Sequence, residues 1–518
     1  MRPSFRRWPR SLALGLLCLL ALSYSTMYSA VSVPNERSRV YLAVAMVEEH
    51  SFTIDTSYAR FGRILDTASH DGGLYSDKAP GSSFLAAGVY LVAKHFQPAQ
   101  SIESLILLMR RGLMIPLGLL GFFALRALLR RSGVLDPWVD LVSLGWMLGS
   151  SAFHYSTAFY GHQIVAVALI AALALVLRAE DGIPRSRAGP MLLAFAAGAC
   201  AGVAGLTEYQ AGIPAAFLAL YVVLGPLGRR PLGALAFALG ALPFLLLLGF
   251  YNDTCFGSPF ALSYQHLTNK ALASIHDQGI GGVTVPRWSA FNGGILSLHR
   301  GLITTSPMFL FAVPGVVALW RKERRRLALL VGLTSLYFVL FISSSNMWVA
   351  GWGFGPRLLV PAMGWMCVLV AHGAQLLGGR FWADAFLRGA VLTAILYHQL
   401  VHAFFPEPPN DAKNPLLDVV FELGRSHLVA PNLAEPRLTG LWSLVPLVVV
   451  IGAALLFVMF RRGPPRPWFA RVALPFTSLS VLGLLALYVA LAGPSYDAVQ
   501  RHAFRVYVSK LEPGRLRP

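Results

Sequence analysis

Stretches of about twenty apolar residues recur about thirteen times along this chain, each long enough to cross a hydrocarbon core of about 30 Å as a helix. They fall at roughly 11–33, 104–129, 138–158, 162–178, 189–207, 211–228, 232–251, 302–320, 327–345, 358–378, 384–405, 441–460 and 472–492. Backbone polar groups in lipid must be satisfied within their own segment, so such a chain folds as a bundle of spanning helices. Composition agrees. Of the 518 residues, 56% are hydrophobic and 13% charged, against roughly 25% charged in soluble domains. The expected fold is an all-α polytopic membrane domain over residues 1–518.

The formal charge is +19. In a soluble chain this excess would point to nucleic acid. Here the arginines lie in short clusters between apolar segments, so anionic headgroups are the expected partner and nucleic acid is not. The clusters are Arg126/Arg130/Arg131, Arg178/Arg185/Arg187, Arg229/Arg230, Arg321 to Arg326, Arg380, and Arg461/Arg462/Arg466/Arg471. They occupy alternate loops, which places them and the N-terminus in the cytoplasm by the positive-inside rule. The basic tail, 493–518, falls on the other side and breaks the pattern. Arg2, Arg6, Arg7 and Arg10 before an apolar run, with small residues near Ala30, imitate a signal peptide. The run is long enough to span, so a retained first helix is expected. Cys18, Cys200, Cys255 and Cys367 include no CxxC pair, and neither a disulfide nor a zinc site is expected.

The loops facing away from the arginines hold most of the Trp, His, Asn and acidic residues. Two are long, 34–103 and 252–300; a third, 406–438, is rich in Pro and Asn. In the first, ERSRVYLAVAMVEEH (36–50) has an apolar middle between charged ends and is too short to span, so it reads as a helix lying in the interface. Glu36 and Arg39 share one face of it. Asp66, Asp71 and Asp77 follow, then Tyr75-Ser-Asp-Lys-Ala-Pro-Gly81 and a second short apolar segment, Ser82 to Phe96.

Over about 65 residues, PNERSRVYLAVAMVEEHSFTID and DGGLYSDKAPGSSFLAAGVYL resemble the first outer loop of GT-C glycosyltransferases. The resemblance is to the protein O-mannosyltransferases and the lipid A aminoarabinose transferase in particular. It implies a GT-C-like bundle with interfacial helices in a long first periplasmic loop, in a bacterial inner membrane. It also implies transfer of a sugar from a polyprenyl-phosphate donor to a periplasmic or lipid-linked acceptor. The family opens this loop with an acidic pair; this chain has Asn35 in place of the first acid, then Glu36, Arg37, Arg39 and Tyr41.

Such a transfer needs a carboxylate to take the acceptor proton, cations for the departing phosphate and an apolar groove for the lipid. Glu36 is the expected base, with Asn35 and Arg39 beside it. Lys78 supplies a point charge for phosphate and Asp77 an acceptor for sugar hydroxyls. Arg357 closes Trp348-Val-Ala-Gly-Trp-Gly-Phe-Gly-Pro-Arg357, whose glycines point to backbone packed closely around a ligand, with a planar fork for phosphate. His162 in FYGHQ and Glu208 in TEYQ face the same side. Asn252, Asp253, Tyr264, His266, Trp288, Asn292 and His299 form a weaker, compositional signal for sugar binding in the second long loop. His and Asp residues are read as scattered, so no metal and no cofactor are expected. The alternative, a secondary transporter or lipid flippase, calls for repeated halves and ionisable residues deep in the helices. The helix interiors read as nearly free of charge.

Overall fold

The computed structural model describes residues 7–25, 34–96, 101–182, 188–410, 412–435, 437–460, 467–490 and 505. Arg2, Arg6, Ala30, Arg185, Arg187, Arg461, Arg462, Arg466 and, apart from Arg505, the tail 493–518 lie outside the described residues.

The chain opens with α1 (Arg7–Tyr24). The first long loop holds α2 (Pro34–Glu48), α3 (Asp55–Phe61), the hairpin β1 (Thr67–His70) and β2 (Gly73–Ser76), and α4 (Gly81–Ala93). Next, α5 (Ile102–Met109) passes through a π-helical turn, Arg110–Met114, into α6 (Ile115–Arg131). The pair α7 (Asp136–Leu148) and α8 (Ser151–Thr157) is broken at Gly149, and the Ser150 side chain caps α8. Then come α9 (Gly161–Gly182), α10 (Ala188–Thr207), α11 (Gly212–Val223) and α12 (Pro231–Phe256). The second long loop carries α13 (Lys270–His276) and α14 (Trp288–Phe291), followed by α15 (Leu302–Thr305). The chain continues through α16 (Ala312–Arg321), α17 (Arg325–Ser344), α18 (Val360–Leu377) and α19 (Phe381–Phe404). After α20 (Glu422–Arg425), it ends with α21 (Val445–Phe460) and α22 (Pro467–Ala490).

Helix occupies most of the described part of every predicted crossing, and among the described residues seven helices are long and apolar enough to cross a membrane. One boundary and one environment bear on the site and differ from expectation. The helix predicted to end at 251 runs on to Phe256, so Asn252 and Asp253 belong to α12 rather than to a loop. Asn252 is buried, and its Nδ2 donates to the Pro259 carbonyl. The segment 36–50 is a helix, as expected, but α2 is enclosed: every residue from Ser38 to Ala45 is buried. Around α2, Tyr41, Tyr90, Met109, Tyr251 and Phe256 form a second apolar core, separate from the main one around Phe122, Trp146 and Trp365.

Small residues set the helix spacing. A Cβ on Gly198 would lie 1.9 Å from the Phe237 carbonyl oxygen, and one on Gly240 would lie 2.0 Å from that of Phe195. Gly202, four residues beyond Gly198, would press on Ala241. This is the small-xxx-small contact by which helices with no hydrophobic drive between them reach van der Waals packing.

The helix interiors are not free of charge. Arg126 and Asp140 pair at 2.5 Å with both side chains buried, and Arg388 binds Asp384 at 2.8 Å. These charges were invisible as pairs because the partners sit on different helices or one turn apart within an apolar run. Each is compensated locally, as burial requires. Neither pair lies in the site described below.

Gly198→Leu should lower the thermal midpoint in detergent by several degrees. Gly205→Ala, whose Cβ meets nothing within 4 Å, should leave it unchanged or raise it. Equal midpoints for the two variants would contradict the close-packing assignment.

Candidate active site

Glu36 sits in the first turn of α2 and is wholly buried. Its Oε1 accepts from Arg110 Nε at 2.9 Å and from the Phe159 backbone N–H at 2.6 Å. Its Oε2 accepts from the Arg110 guanidinium at 2.5 Å. The π turn starts at Arg110, and this local distortion lies where the guanidinium meets Glu36. Glu36 and Arg39 share a helix but not a partner.

Arg39 turns to a second carboxylate. Its guanidinium donates to Glu208 at 3.1 Å and to Ser82 Oγ at 2.7 Å, and its Nε donates to Asn35 Oδ1 at 3.2 Å. Asn35 therefore orients Arg39. His162 Nδ1 lies 3.5 Å from the same Glu208 oxygen. Burial pushes the Glu208 carboxyl up, but His162, Arg39, Lys78 and Arg357 outweigh that and hold it below its ordinary value. Glu208 reaches this position because its neighbour in space is Gly161; a Cβ there would fall 2.2 Å from Oε1.

The hairpin β1–β2 turns at Asp71-Gly72, both at positive φ (47° and 82°), as a two-residue turn of this twist demands. It delivers Ser76, Asp77 and Lys78. Lys78 Nζ lies 2.8 Å from Asp77 and 3.0 Å from Asp66. Burial lowers the Lys78 pKa, yet the two carboxylates more than offset it, and the ammonium is held above its ordinary range. Burial also pushes the Asp77 carboxyl up, with Lys78 opposing. Gly81 serves packing, since a Cβ there would meet Thr207 Oγ1 at 2.5 Å. The second long loop closes over this corner. Ser263 Oγ donates to the Asp77 carbonyl, and Tyr264 stacks on His276 at 4.7 Å. His266 stacks on Phe256 instead, and Trp288 is exposed.

In the Trp348–Arg357 loop, Gly351, Gly353 and Gly355 all have positive φ, at 75°, 154° and 66°. Gly355 also abuts Ser151 of α8. The glycines are thus explained by backbone conformation and by packing on α8. Arg357 lies over the Tyr160 ring, 5.2 Å from its centroid. Its Nε is buried without a hydrogen-bond partner, and it forms no ion pair with a carboxylate among the described residues. Tyr160 packs against Tyr155 at 5.3 Å, and Tyr155 against His162 at 6.3 Å. One wall of rings therefore runs from Arg357 to the Arg39–Glu208 pair.

Arg110, Glu407, His154 and the pair His398 and His402 escaped sequence reasoning. Arg110 stood inside an apolar segment, where a lone charge is itself a signal. Glu407, in FFPEPPN, is buried, and Tyr160 Oη donates to its two oxygens at 3.3 and 3.5 Å. Burial first, then the charge of Glu36, pushes the Glu407 carboxyl up to about 8, against Arg110 and Arg357. His154 Nε2 lies 3.7 Å from Glu407. His398 and His402 form an i, i+4 pair, HQLVH, that the reading of scattered histidines overlooked. They bond to Ser306 and Thr157, respectively. Among the described residues, no three His, Cys, Asp or Glu side chains are grouped as metal donors. Beyond the site, between α2 and α4, Met46, Val47, Phe52, Phe84, Ala87 and Leu91 line an apolar groove of about 370 Å³.

No family model matches this sequence, and no curated protein matches it. Solved structures do. ArnT from Cupriavidus metallidurans bound to undecaprenyl phosphate is 16% identical, with 98% of this chain and 80% of that chain aligned at a TM-score of 0.47. The apo state of ArnT gives 16% identity, 94% and 76% coverage, and 0.47. The apo oligosaccharyltransferase of Archaeoglobus fulgidus gives 15% identity and 0.49 over 91% of this chain, which spans 60% of that longer protein.

Arg110→Met leaves Glu36 buried without its cation and should destabilise the protein by about 3–5 kcal/mol. Adding Glu36→Gln to it should recover a substantial part. Additive losses in the double variant, read from denaturation in detergent, would show that the two do not act as a pair.

Proposed function

We propose that this chain is a membrane glycosyltransferase that moves a sugar from a polyprenyl-phosphate donor to an acceptor hydroxyl. Transfer takes place on the side of the membrane carrying the long polar loops, read as periplasmic from the arginine distribution. The observation that carries this reading is Arg357. A half-buried guanidinium with no carboxylate partner and a buried, unpartnered Nε is suited to an anionic ligand that brings its own oxygens. Tyr160 orients it from below. Of the carboxylates around it, Glu208 is committed to Arg39 and Glu36 to Arg110, while burial raises the Glu407 carboxyl at the Tyr160 hydroxyl and so favours its neutral form. A phosphate at Arg357 therefore meets little uncompensated negative charge.

In this reading each remaining residue has a chemical task. Lys78, clamped between Asp66 and Asp77, adds positive potential on the far side of the sugar, while the two carboxylates face its hydroxyls. His162 and Glu208 hold the wall between the phosphate and the sugar corner. Asn35 and Ser82 fix Arg39, which keeps Glu208 ionised. Glu36 acts as an anchor: with both oxygens occupied, it sets the positions of Arg110 and the 158–160 turn. The groove between α2 and α4 offers an apolar wall for prenyl units. The acceptor is a hydroxyl compound, lipid-linked or exported.

Undecaprenyl phosphate, the lipid held in one of the ArnT structures, is the probe. It should bind the purified protein in nanodiscs, and Arg357→Ala should weaken binding by about 10- to 100-fold, the worth of a hydrogen-bonded charge. Lys270→Ala, at an exposed lysine of the second long loop, should not. Equal binding by the Arg357 and Lys270 variants would contradict the assignment. Uptake of the lipid-linked sugar by acceptor-free proteoliposomes, without sugar transfer, would favour transport.

A further inference from the structure

Both oxygens of Glu36 are engaged. Its two oxygens accept three hydrogen bonds, two of them from one guanidinium, in a fully buried position. A carboxylate so engaged gains nothing by taking a proton, because protonation would break a buried, bidentate ion pair. Asp77 is bound to Lys78, and Glu208 to Arg39.

Glu407 differs from all three. It is buried at the start of the third long loop, directly after α19. Its contacts are with a phenol and an imidazole: Tyr160 Oη at 3.3 and 3.5 Å, both long, and His154 Nε2 at 3.7 Å. No arginine or lysine forms an ion pair with it among the described residues. The segment that carries it is fixed on both sides. Gly353 N donates to the Pro408 carbonyl, and Arg300 bridges Asn410 Oδ1 and the Gly351 carbonyl at 2.9 Å each. Glu407 and Arg357 thus sit on one support, the Tyr160 ring, with Arg357 over its face and Glu407 at its hydroxyl.

We infer that Glu407, rather than Glu36, is the base that takes the proton of the acceptor hydroxyl, and that Tyr160 positions it beside the phosphate site at Arg357. This rests on the glycosyl-transfer reading above. The acceptor oxygen forms a bond to the anomeric carbon as its proton passes to a Glu407 oxygen. The bond from that carbon to the phosphate oxygen breaks, and the polyprenyl phosphate leaves with the electron pair, its charge met by Arg357. Atoms and charges balance without a metal or a further reactant.

The surroundings set its pH response. Glu407 is faced by Glu36 from α2, Arg110 from the π turn, and His154 and Tyr155 from α8. Tyr160 faces it from the next turn, and Arg300 and Arg357 from two loops. Burial and the Glu36 charge raise the carboxyl to about 8, where a base is matched to near-neutral operation. Only the anion accepts a proton, so kcat/KM should rise with pH through an acid limb near that value. The Tyr160 hydroxyl favours the anion, so Tyr160→Phe should move the limb to higher pH while transfer persists.

The test uses purified protein in nanodiscs, a panel of undecaprenyl-phosphate monosaccharides and cell-envelope extract as acceptor. Release of undecaprenyl phosphate is the readout. Glu407→Gln should lower kcat/KM by about 10²- to 10⁴-fold and leave undecaprenyl phosphate binding within about threefold, whereas Glu407→Asp should restore part of the rate. Tyr160→Phe, which keeps the ring, should show the alkaline shift even if Glu407→Gln folds poorly. Wild-type rate in Glu407→Gln, or an unmoved pH profile in Tyr160→Phe, overturns the inference and leaves the glycosyltransferase reading standing. A wild-type protein that neither binds undecaprenyl phosphate nor consumes any donor overturns both.

Discussion

The buried ion pair of Glu36 and Arg110 is the contact on which the site depends. It joins the start of α2 to the π turn of the α5–α6 rod, and through the Phe159 N–H it fixes the turn that presents Tyr160. Tyr160 then supports Arg357 and Glu407. Two charges taken out of water must be compensated in good geometry, and the bidentate fork with a third backbone donor supplies it. What the pair gives in return is placement. Three segments distant in sequence meet at fixed angles.

A second constraint is the order of charge compensation. Glu36 answers Arg110, Glu208 answers Arg39, and Asp66 and Asp77 answer Lys78. Arg357 has no carboxylate of its own among the described residues, and Glu407 has no arginine or lysine. In the proposed transfer, the cation over the face of Tyr160 would meet the phosphate leaving group, and the carboxylate at its hydroxyl would take the acceptor proton.

Much of this was legible in the chain. Apolar segments of spanning length located the helices, because that signal comes from local composition. The first loop drew attention through YSDKAPG and its neighbours, and the fold brings Asn35, Arg39, Asp77, Lys78, His162 and Arg357 together around Glu208. Pairing was not legible. Nothing local says that Glu36 would bind an arginine 74 positions away, or that Glu407 would meet Tyr160 across 247. Glu407 lay in a proline-rich loop that read as a connection, and the i, i+4 spacing of His398 and His402 passed unread. The glycines before Arg357 drew the right attention for a different reason: they serve backbone geometry and the packing of Gly355 on Ser151.

The central claim is that donor phosphate is held at Arg357 with Glu407 beside it. An experimental density map of the protein with undecaprenyl phosphate tests this most directly. The account predicts phosphate oxygens at about 2.7–2.9 Å from the Arg357 guanidinium, with the Glu407 carboxylate facing the adjoining space and Glu36 still bound to Arg110. A phosphate seated elsewhere, with Arg357 turned away from it, would contradict the account.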